Sequence, residues 1–417
     1  MKNDRRGFIR SIAVAGFATG PLLRADATLQ KMPAPPAVGG APDGWPAFSR
    51  KTGLKIKSIE SYTQGTNVSL VRVKTDDGSE GYGQMAPFDA DISATVLHRK
   101  IAPLVLGQDP ADLSLVVDRC IEENYKFPWS FVCRALAGID TAVWDLLGKH
   151  ENKSVCELIG GKPRPFPVYG SSMSRAIKPE EEVARLARLR DEKGFGAFKV
   201  RVGKVCGHDQ DQWPGRTEEL IRVVRKGVGD QVALLADANS CYMPPKAIQV
   251  GKMLEEYNFV HFEEPCPYWE LEWTADVAEA LKIAVAGGEQ DNDLAQWRRL
   301  TTMHAVDIAQ PDICYIGGLT RALRAASMAG KAGLKCVPHS ANLSMVTVFT
   351  LHMMGAIPNA GPHLEFTIEN DQWTGNLFRP ALEVRDGRVQ IPDGPGWGVT
   401  ISPEWLSKAR REVSERG

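Results

Sequence analysis

Residues 232–265 read VALLADANSCYMPPKAIQVGKMLEEYNFVHFEEP, and this stretch contains one full repeat of the pattern that decides the fold. A short β-rich run ends at Asp237, and a second run ends at Glu263. An amphipathic helical segment lies between them. A strand, a helix and a second strand in this order predict a βαβ unit with parallel strands.

The same alternation of β-rich runs and helical segments continues on both sides of this repeat. The runs are 167–171, 197–202, 232–237, 259–263, 283–289, 306–312, 334–339 and 363–366. Eight strands, each followed by a helix or a return segment, predict an α/β fold of the (β/α)8 barrel type. A doubly wound sheet is the alternative. It would carry a glycine-rich phosphate loop after the first strand, where Ser171-Ser172-Met173 stands instead.

Three acidic residues end successive runs of this predicted barrel, at the side where barrels build their active sites. Asp237, Glu263 and Glu289 are separated by 26 residues each, which is one βα unit. Three converging carboxylates repel one another unless a cation lies between them, and ligation by carboxylates alone suits Mg²⁺ far better than zinc. We therefore predict a Mg²⁺ site here. Glu264 has the opposite strand parity, so the even spacing favours Glu263 as the ligand.

Other polar residues at the strand ends complete the candidate site. They are Lys199, Arg201, Asn239, Asp312, His339 and Glu365. Lys199 and Arg201 are two positions apart and share one face of their strand, as Asp237 and Asn239 do on theirs.

The chain before residue 166 is organised differently. Residues 1–27 predict a twin-arginine export signal, because Arg5-Arg6 precedes a weakly apolar stretch and Ala25-Asp26-Ala27 offers a small-residue cleavage site. Residues 28–53 are rich in Pro and Gly and predict a linker. Residues 54–165 combine strand-like runs with helical patterns, so they predict an antiparallel β-meander within an α+β domain.

Composition excludes several classes of protein. The 417 residues carry a formal net charge of −1, so no basic field argues for nucleic acid. No apolar run reaches the roughly 18 residues that a membrane-spanning helix needs. The eight cysteines include no CxxC pair, and we predict neither a disulfide scaffold nor a zinc site on them.

The motifs taken together resemble those of a known family. In chain order they are Asp237-Ala238-Asn239, Glu263-Glu264-Pro265, Gly287-Gly288-Glu289, Gln310-Pro311-Asp312, Ile316-Gly317-Gly318 and Pro338-His339. From about residue 54 onward, the chain resembles the enolase superfamily and, within it, the mandelate racemase-like subgroup (mandelate racemase/muconate lactonizing enzyme family).

This resemblance implies a modified (β/α)7β barrel at residues 166–376, with residues 54–165 as its capping domain and residues 377–417 returning to that domain. It implies that Asp237, Glu263 and Glu289 bind Mg²⁺. By position, His339 is the implied base and Asp312 its orienting partner. Glu365 matches an acid that is protonated, or nearly so, and hydrogen-bonds the substrate carboxylate. Lys199 matches the first lysine of a Lys-x-Lys pair, but Arg201 replaces the second, and arginine is a poor base.

We therefore expect an exported, Mg²⁺-dependent enzyme that removes the proton α to a carboxylate through a metal-stabilised enediolate. Dehydration of a sugar acid to a 2-keto-3-deoxy acid is the favoured reaction, with Arg201 and Asn239 binding the substrate. A racemase or epimerase of a hydroxy acid or amino acid derivative is the alternative. A non-catalytic protein that binds acid sugars is a third possibility. We expect the loops at 62–67 and 85–91 to set specificity, and we expect a homo-oligomer because related enzymes commonly assemble.

Overall fold

The structure, a computed structural model, describes residues 51–369 and 376–416. The predicted export signal and residues 28–50 of the predicted linker lie outside these ranges. Within the ranges, no helix is both long enough and apolar enough to cross a membrane.

The first part of the described chain is a β-meander followed by helices. Its strands are β1 (Ile56–Gln64), β2 (Val68–Thr75) and β3 (Glu80–Gln84). Its helices are α1 (Ala90–Val96), a π-helix (Leu97–Ile101), α2 (Ala102–Val105), a 3₁₀ turn (Pro110–Asp112), α3 (Leu113–Glu123), α4 (Trp129–His150) and α5 (Val155–Leu158). The predicted antiparallel meander is present, since β2 pairs antiparallel with both β1 and β3.

Helix α4 packs against β3 at short range because two glycines of that strand face it. A Cβ atom at Gly81 or Gly83 would overlap the backbone of the helix. Most of the helix is buried, and it carries two acidic residues inside the protein, Asp140 and Asp145. The meander therefore packs directly against helix α4 through β3.

Eight parallel strands and the helices between them form the second part. The strands are β4 (Pro165–Ser171), β5 (Ala197–Arg201), β6 (Ala233–Asp237), β7 (Phe259–Glu263), β8 (Ala284–Gly287), β9 (Ile308–Ala309), β10 (Lys335–Cys336) and β11 (Leu364–Thr367). The helices are α6 (Pro179–Lys193), α7 (Arg216–Val228), α8 (Pro244–Glu256), α9 (Leu271–Ala280), α10 (Leu294–Thr302), α11 (Leu319–Lys331) and α12 (Met345–Met354).

The strand order confirms the modified barrel. The strands pair side by side in the order β11-β4-β5-β6-β7-β8-β9-β10, and every pair is parallel. A further parallel bridge joins Cys336 of β10 to Ala360, which leads into β11, so the two ends of the sheet meet. In the described residues one helix follows each of β4 to β10, which is the (β/α)7β pattern, and the doubly wound alternative is wrong.

Three barrel strands end earlier than the sequence predicts. The predicted runs 283–289, 306–312 and 334–339 become β8, β9 and β10, which end at Gly287, Ala309 and Cys336. Gly288 follows β8 with a φ of 107°, outside strand geometry. Prolines 311 and 338 follow the other two strands and cannot donate a ladder hydrogen bond. Glu289, Asp312 and His339 consequently lie on loops just beyond the strands.

The last part of the chain returns to the N-terminal sheet. Its elements are β12 (Phe378–Arg379), β13 (Arg388–Gln390), β14 (Thr400–Ile401), α13 (Pro403–Lys408) and β15 (Arg410–Glu415). Strand β15 pairs antiparallel with β1, giving a four-stranded sheet in the order β15-β1-β2-β3.

A buried carboxylate joins three strands of this sheet. Glu60 of β1 lies 2.7 Å from the guanidinium of Arg72 on β2 and 2.7 Å from that of Arg411 on β15. It also accepts a 2.6 Å hydrogen bond from the Tyr62 hydroxyl. Burial raises the pKa of Glu60, but the hydrogen bonds and charges of the two arginines outweigh burial and lower it to about 2. The carboxylate is therefore ionised at every ordinary pH.

Two acidic residues of α4 connect the N-terminal part to the rest of the chain. Asp140 accepts a 3.2 Å hydrogen bond from the backbone N–H of Thr320 in the first turn of α11. Asp145 accepts hydrogen bonds from the backbone N–H groups of Tyr82 and Trp397, at 2.8 and 2.9 Å. These hydrogen bonds join the middle and the C-terminal half of α4 to α11, to β3 and to the segment around Trp397.

Candidate active site

The carboxyl ends of the barrel strands bring the predicted site residues together. Asp237 and Glu263 are the last residues of β6 and β7, and Arg201 is the last of β5. Every predicted residue except Asn239, which is half-buried, is buried: Lys199, Arg201, Asp237, Glu263, Glu289, Asp312, His339 and Glu365. The convergence that strand spacing predicts is therefore present, although three of these residues reach the site from loops.

Lys199 lies at the centre of the buried charges. Its Nζ is 2.6 Å from Oε1 of Glu263, 2.8 Å from Oε1 of Glu365 and 3.7 Å from Oδ2 of Asp237. Burial lowers the pKa of Lys199, but the two glutamates outweigh burial and raise the pKa above its usual range. Lys199 is consequently a permanent ammonium ion that neutralises neighbouring carboxylates.

Glu365 is ionised, contrary to the expectation that it is protonated. Burial raises its pKa, but the charges of Lys199 and His339 outweigh burial and lower the pKa to about 2. Its two oxygens accept hydrogen bonds from the Ser171 hydroxyl at 2.7 Å and from the Ser340 backbone N–H at 2.9 Å. A carboxylate held in this way has no proton to donate.

Arg201 faces the predicted metal ligands. Its Nη1 pairs with Oδ2 of Asp237 and lies 3.1 Å from the Asn239 side-chain oxygen. Its Nε donates to the Ser172 backbone oxygen at 2.9 Å. The guanidinium of Arg201 therefore neutralises the negative charge of Asp237.

His339 and Asp312 form a hydrogen-bonded pair. The imidazole Nδ1 donates to Oδ2 of Asp312 at 2.7 Å, and the other oxygen of Asp312 accepts the backbone N–H groups of Cys314 and Tyr315 at 2.7 and 2.9 Å. Because the Nδ1–H group is hydrogen-bonded to Asp312, Nε2 is the nitrogen that faces the other site residues. It lies 3.4 Å from Oε2 of Glu289.

The proton affinity of His339 depends on its acidic neighbours. Burial lowers its pKa, but Glu289 and Asp312 outweigh burial and raise the pKa to about 10. The imidazole is therefore a cation while the charge of Glu289 is not otherwise compensated. A base at this position needs a second cation nearby to release its proton near neutral pH.

Glu263 is positioned by two residues that are not among the predicted site residues. Its Oε2 lies 3.0 Å from Nε2 of His261 and accepts a hydrogen bond from Nε2 of Gln310 at 2.8 Å. His261 shares the strand face of Glu263, so parity places it one layer below. Gln310 belongs to the same three-residue motif as Asp312, and its even spacing from that acid was the available signal.

The buried carboxylates fit the chemistry of a divalent cation. Burial raises the pKa of Glu264 well above its usual value, and the carboxylates of Glu289 and Glu263 raise it further. One oxygen of Glu264 is buried without a hydrogen-bond partner. The site contains six acidic side chains against two basic side chains and two imidazoles: Asp237, Glu263, Glu264, Glu289, Asp312 and Glu365 against Lys199, Arg201, His261 and His339. So many carboxyl groups cannot all ionise together without a further cation, which suits Mg²⁺.

The predicted ligands do not already have the geometry of a metal site. Among the described residues, no three His, Cys, Asp or Glu side chains stand close enough together to hold an ion. Lys199 pairs with Oε1 of Glu263 and Arg201 pairs with Oδ2 of Asp237, so two of the predicted ligands already have cationic partners. The donor set fits Mg²⁺ in its chemistry, and these two cations compete with an ion for it.

A cavity of about 330 Å³ lies beside these residues, between the N-terminal part and the strand ends. Phe88, Asp89 and Arg134 line it from the N-terminal part, and Gln290 and Tyr315 line it from the barrel. The segment 85–91 thus contributes to the cavity, whereas no residue of 62–67 lines it.

Tyr315 connects this cavity to the base. Its ring centroid lies 6.0 Å from that of His339, and the Arg134 guanidinium carbon lies 4.1 Å from the centre of the same ring. Neither Tyr315 nor Arg134 could be predicted from the sequence, because no motif joins a helix of the N-terminal part to a barrel loop.

Comparison with known proteins identifies the family. Residues 54–160 match the family described as "Mandelate racemase / muconate lactonizing enzyme, N-terminal domain", and residues 181–405 match "Enolase C-terminal domain-like". Arabinonate dehydratase of Saccharolobus solfataricus is 27% identical over 84% of this chain and 92% of its own. L-talarate/galactarate dehydratase of Salmonella typhimurium is 29% identical over 81% of each chain.

Solved structures show the same fold. A Roseobacter denitrificans protein, described only provisionally as a racemase, is 53% identical and superposes with a TM-score of 0.85 over 87% of this chain and all of its own. L-talarate dehydratase from Polaromonas sp. JS666, complexed with Mg and L-glucarate, is 26% identical, with a TM-score of 0.77 over 88% of this chain and all of its own. The chain belongs to the enolase superfamily, in its mandelate racemase-like subgroup.

Proposed function

We propose that this protein catalyses the Mg²⁺-dependent dehydration of an acid sugar to a 2-keto-3-deoxy acid. The observation that carries the proposal is the Asp312–His339 pair, whose Nε2 faces a buried group of carboxylates beside a cavity. Curated relatives that match most of the chain are named dehydratases of sugar acids, which supports the same chemistry.

His339 acts as the general base. With Asp312 on its Nδ1, the imidazole presents Nε2 to the proton on the α-carbon of the substrate. Loss of this proton leaves an enediolate, which expels the hydroxyl group from the β-carbon. The imidazolium of His339 returns the proton to the departing hydroxyl, so that water leaves and the resulting enol becomes the 2-keto acid.

Asp237, Glu263 and Glu289 would hold Mg²⁺. When bound, the ion supplies positive charge next to the substrate carboxylate, on which negative charge grows as the α-proton leaves. His261 and Gln310 orient Glu263 through its second oxygen. Their contribution is to fix the direction in which this ligand points.

Lys199 and Arg201 bind the anionic end of the substrate. Lys199 is held by Glu263 and Glu365, and Arg201 carries a planar fork that matches a carboxylate. Asn239, 3.1 Å from Arg201, offers an amide to a hydroxyl group of the substrate. Glu365 serves to position Lys199, because an ionised carboxylate repels the substrate carboxylate.

A racemase is the second candidate, and the 53% identical structure described provisionally as a racemase favours it. Racemisation needs a base on each face of the α-carbon. The face opposite His339 offers Lys199, held protonated between two glutamates, and Arg201, which stays protonated at ordinary pH. Neither can take up a proton as it stands, which is why we place dehydration first.

Turnover in D₂O distinguishes these functions. We expect a dehydratase to give a 2-keto-3-deoxy acid that carries deuterium, and to leave no α-deuterated epimer in the remaining substrate. Recovery of both α-epimers with deuterium would instead establish a racemase with Lys199 as the second base. A protein that binds acid sugars and returns them unchanged, with and without Mg²⁺, would be the non-catalytic alternative.

We also propose that the protein is exported in folded form by the twin-arginine pathway and acts outside the cytoplasm. The support is the sequence of residues 1–27, in which paired arginines precede a weakly apolar stretch and a small-residue cleavage site. Export as a folded protein suits an enzyme whose cysteines are mostly buried and unpaired.

A further inference from the structure

Arg134, in the cavity beside the base, is a cation with no counterion among the described residues. It lies on α4, in the second turn, and its side chain is half-buried. Its Nη1 donates to the backbone oxygen of Pro87 at 3.2 Å, and its guanidinium stacks on the ring of Tyr315. Across the described residues, these are the contacts of its guanidinium, and none is an ion pair.

This arrangement leaves most of the guanidinium free to bind an anion. Arginine carries five N–H donors in a fixed fork, and Arg134 uses one of them on a described residue. The stack on Tyr315 fixes the plane of the fork, which lowers the entropy lost when a planar carboxylate binds to it. Asp89 also lines the cavity, but its side chain is exposed and does not pair with Arg134.

The distance from the base suits the far end of a short sugar acid. The Tyr315 ring centroid lies 6.0 Å from that of His339 and 4.1 Å from the guanidinium carbon, so the imidazole ring and the guanidinium are at most about 10 Å apart. An extended six-carbon chain places its second carboxyl carbon about 5 Å from its α-carbon. The base approaches that chain from the side within about 3 Å, and a guanidinium lies about 4 Å from a bound carboxyl carbon.

The wall of the cavity carries polar as well as aromatic side chains. Its polar residues include Ser130, Asn292 and Gln290, whose side chains can bind hydroxyl groups, and its aromatic residues include Phe131. A hydroxylated chain with an anion at each end offers groups that these polar side chains and Arg134 can bind. The cavity volume of about 330 Å³ is at the lower end of the range for sites that hold small molecules.

We propose that Arg134 binds a second carboxylate at the end of the substrate remote from the reacting carbon, so that the substrate is a dicarboxylic sugar acid. This inference rests on the proposed function, because it names the substrate class of the same site. Arg134 thus determines specificity, whereas the α-proton is removed by His339.

The first test compares matched pairs of six-carbon substrates. We expect the wild-type protein with Mg²⁺ to turn over one or more hexaric acids with a kcat/KM about 10²-fold higher than that for the hexonic acid of the same stereochemistry, which lacks the second carboxylate. Arg134→Gln should lower kcat/KM for the hexarate by about 10²-fold and leave the hexonate little changed. A higher kcat/KM for the hexonates, or an equal loss on both members of a pair, would overturn the inference.

The second test measures binding without turnover, and therefore separates this inference from the proposed function. In His339→Asn, calorimetry with Mg²⁺ should show tighter binding of the hexarate than of its matched hexonate. Adding Arg134→Gln should remove that preference. Equal affinities of the two acids in His339→Asn would overturn the role of Arg134. If wild-type protein converts no acid sugar to a keto acid, the dehydratase proposal fails while this measurement still decides the inference.

Arg119→Gln provides the matched control. Arg119 lies on α3, in the same part of the chain, but its side chain is exposed and outside the cavity. This substitution removes the same charge, so it should leave the preference for hexarates unchanged. A loss of preference in Arg119→Gln equal to that in Arg134→Gln would mean that net charge, and not a bound carboxylate, causes the effect.

Discussion

Replacing Glu60 by Gln should destabilise the fold at the N-terminal sheet and leave the candidate active site unchanged. The buried carboxylate of Glu60 serves Arg72 and Arg411 on the two neighbouring strands, and its pKa is about 2 instead of 4.5. One pKa unit corresponds to about 1.4 kcal/mol, so ionised Glu60 stabilises the fold by about 3 kcal/mol. The entropy of unfolding is about 2 cal/mol/K per residue, so this loss of stability lowers Tm by roughly 4 °C for a chain of this size.

The stabilisation by Glu60 should decrease as the pH falls. Because folding lowers the pKa of Glu60, its stabilisation is complete above about pH 4.5 and is lost as the pH falls towards 2. The difference in stability between wild type and Glu60→Gln should therefore shrink from about 3 kcal/mol at pH 7 to about 1.5 kcal/mol at pH 3. Thermal unfolding followed by circular dichroism at the two pH values measures this difference.

Glu80→Gln is the control for this comparison. Glu80 lies 3.5 Å from the same Arg72, but its side chain is 38% exposed. Solvent screens such a pair, so the substitution should cost less than about 1 kcal/mol. A Tm difference between wild type and Glu60→Gln that stays the same at pH 7 and pH 3 would refute the reasoning. So would a Glu80→Gln variant as unstable as Glu60→Gln.

Three further predictions concern the site and its location. Glu289→Gln should weaken Mg²⁺ binding measured by calorimetry and abolish turnover while the circular dichroism spectrum stays native, and an unchanged Mg²⁺ affinity would remove Glu289 from the ligand set. His339→Asn should lower kcat by 10²-fold or more while Mg²⁺ still binds, and a loss below tenfold would show that another group is the base. Arg5→Lys combined with Arg6→Lys should trap the full-length precursor in the cytoplasm, as seen by immunoblotting of cell fractions, and export equal to wild type would contradict the twin-arginine signal.

The barrel could be predicted because each of its strands repeats one local pattern. Residues such as Asp237 and Glu263 end apolar runs, and parallel strands bring their carboxyl ends to one place. The places where β8, β9 and β10 end were harder to predict, because the pattern places each end at a polar residue two or three positions further along the chain. A glycine or a proline then stops the ladder hydrogen bonds, as Gly288 and Pro311 do.

The detailed contacts inside the site could not be read from spacing. Strand parity places Lys199 and Arg201 on the inner face of their strand. It does not predict which of several nearby carboxylates each of these long side chains contacts. The pKa of Glu365 depends on these contacts, because the charges of Lys199 and His339 lower it against the effect of burial. Arg134 and Tyr315 are far apart in the sequence, and their contact depends on how α4 lies over the barrel.

The pairing of β15 with β1 has a consequence for the order in which the molecule is made. Arg411 is synthesised 351 residues after Glu60, its partner in the buried ion pair. At about 5–20 residues per second, the ribosome takes on the order of 20–70 seconds to cover that distance. During this time β1 is an open edge strand, which can pair with a strand of another chain. The N-terminal sheet is therefore completed only after the whole barrel has been translated, because β15 follows the barrel in the chain.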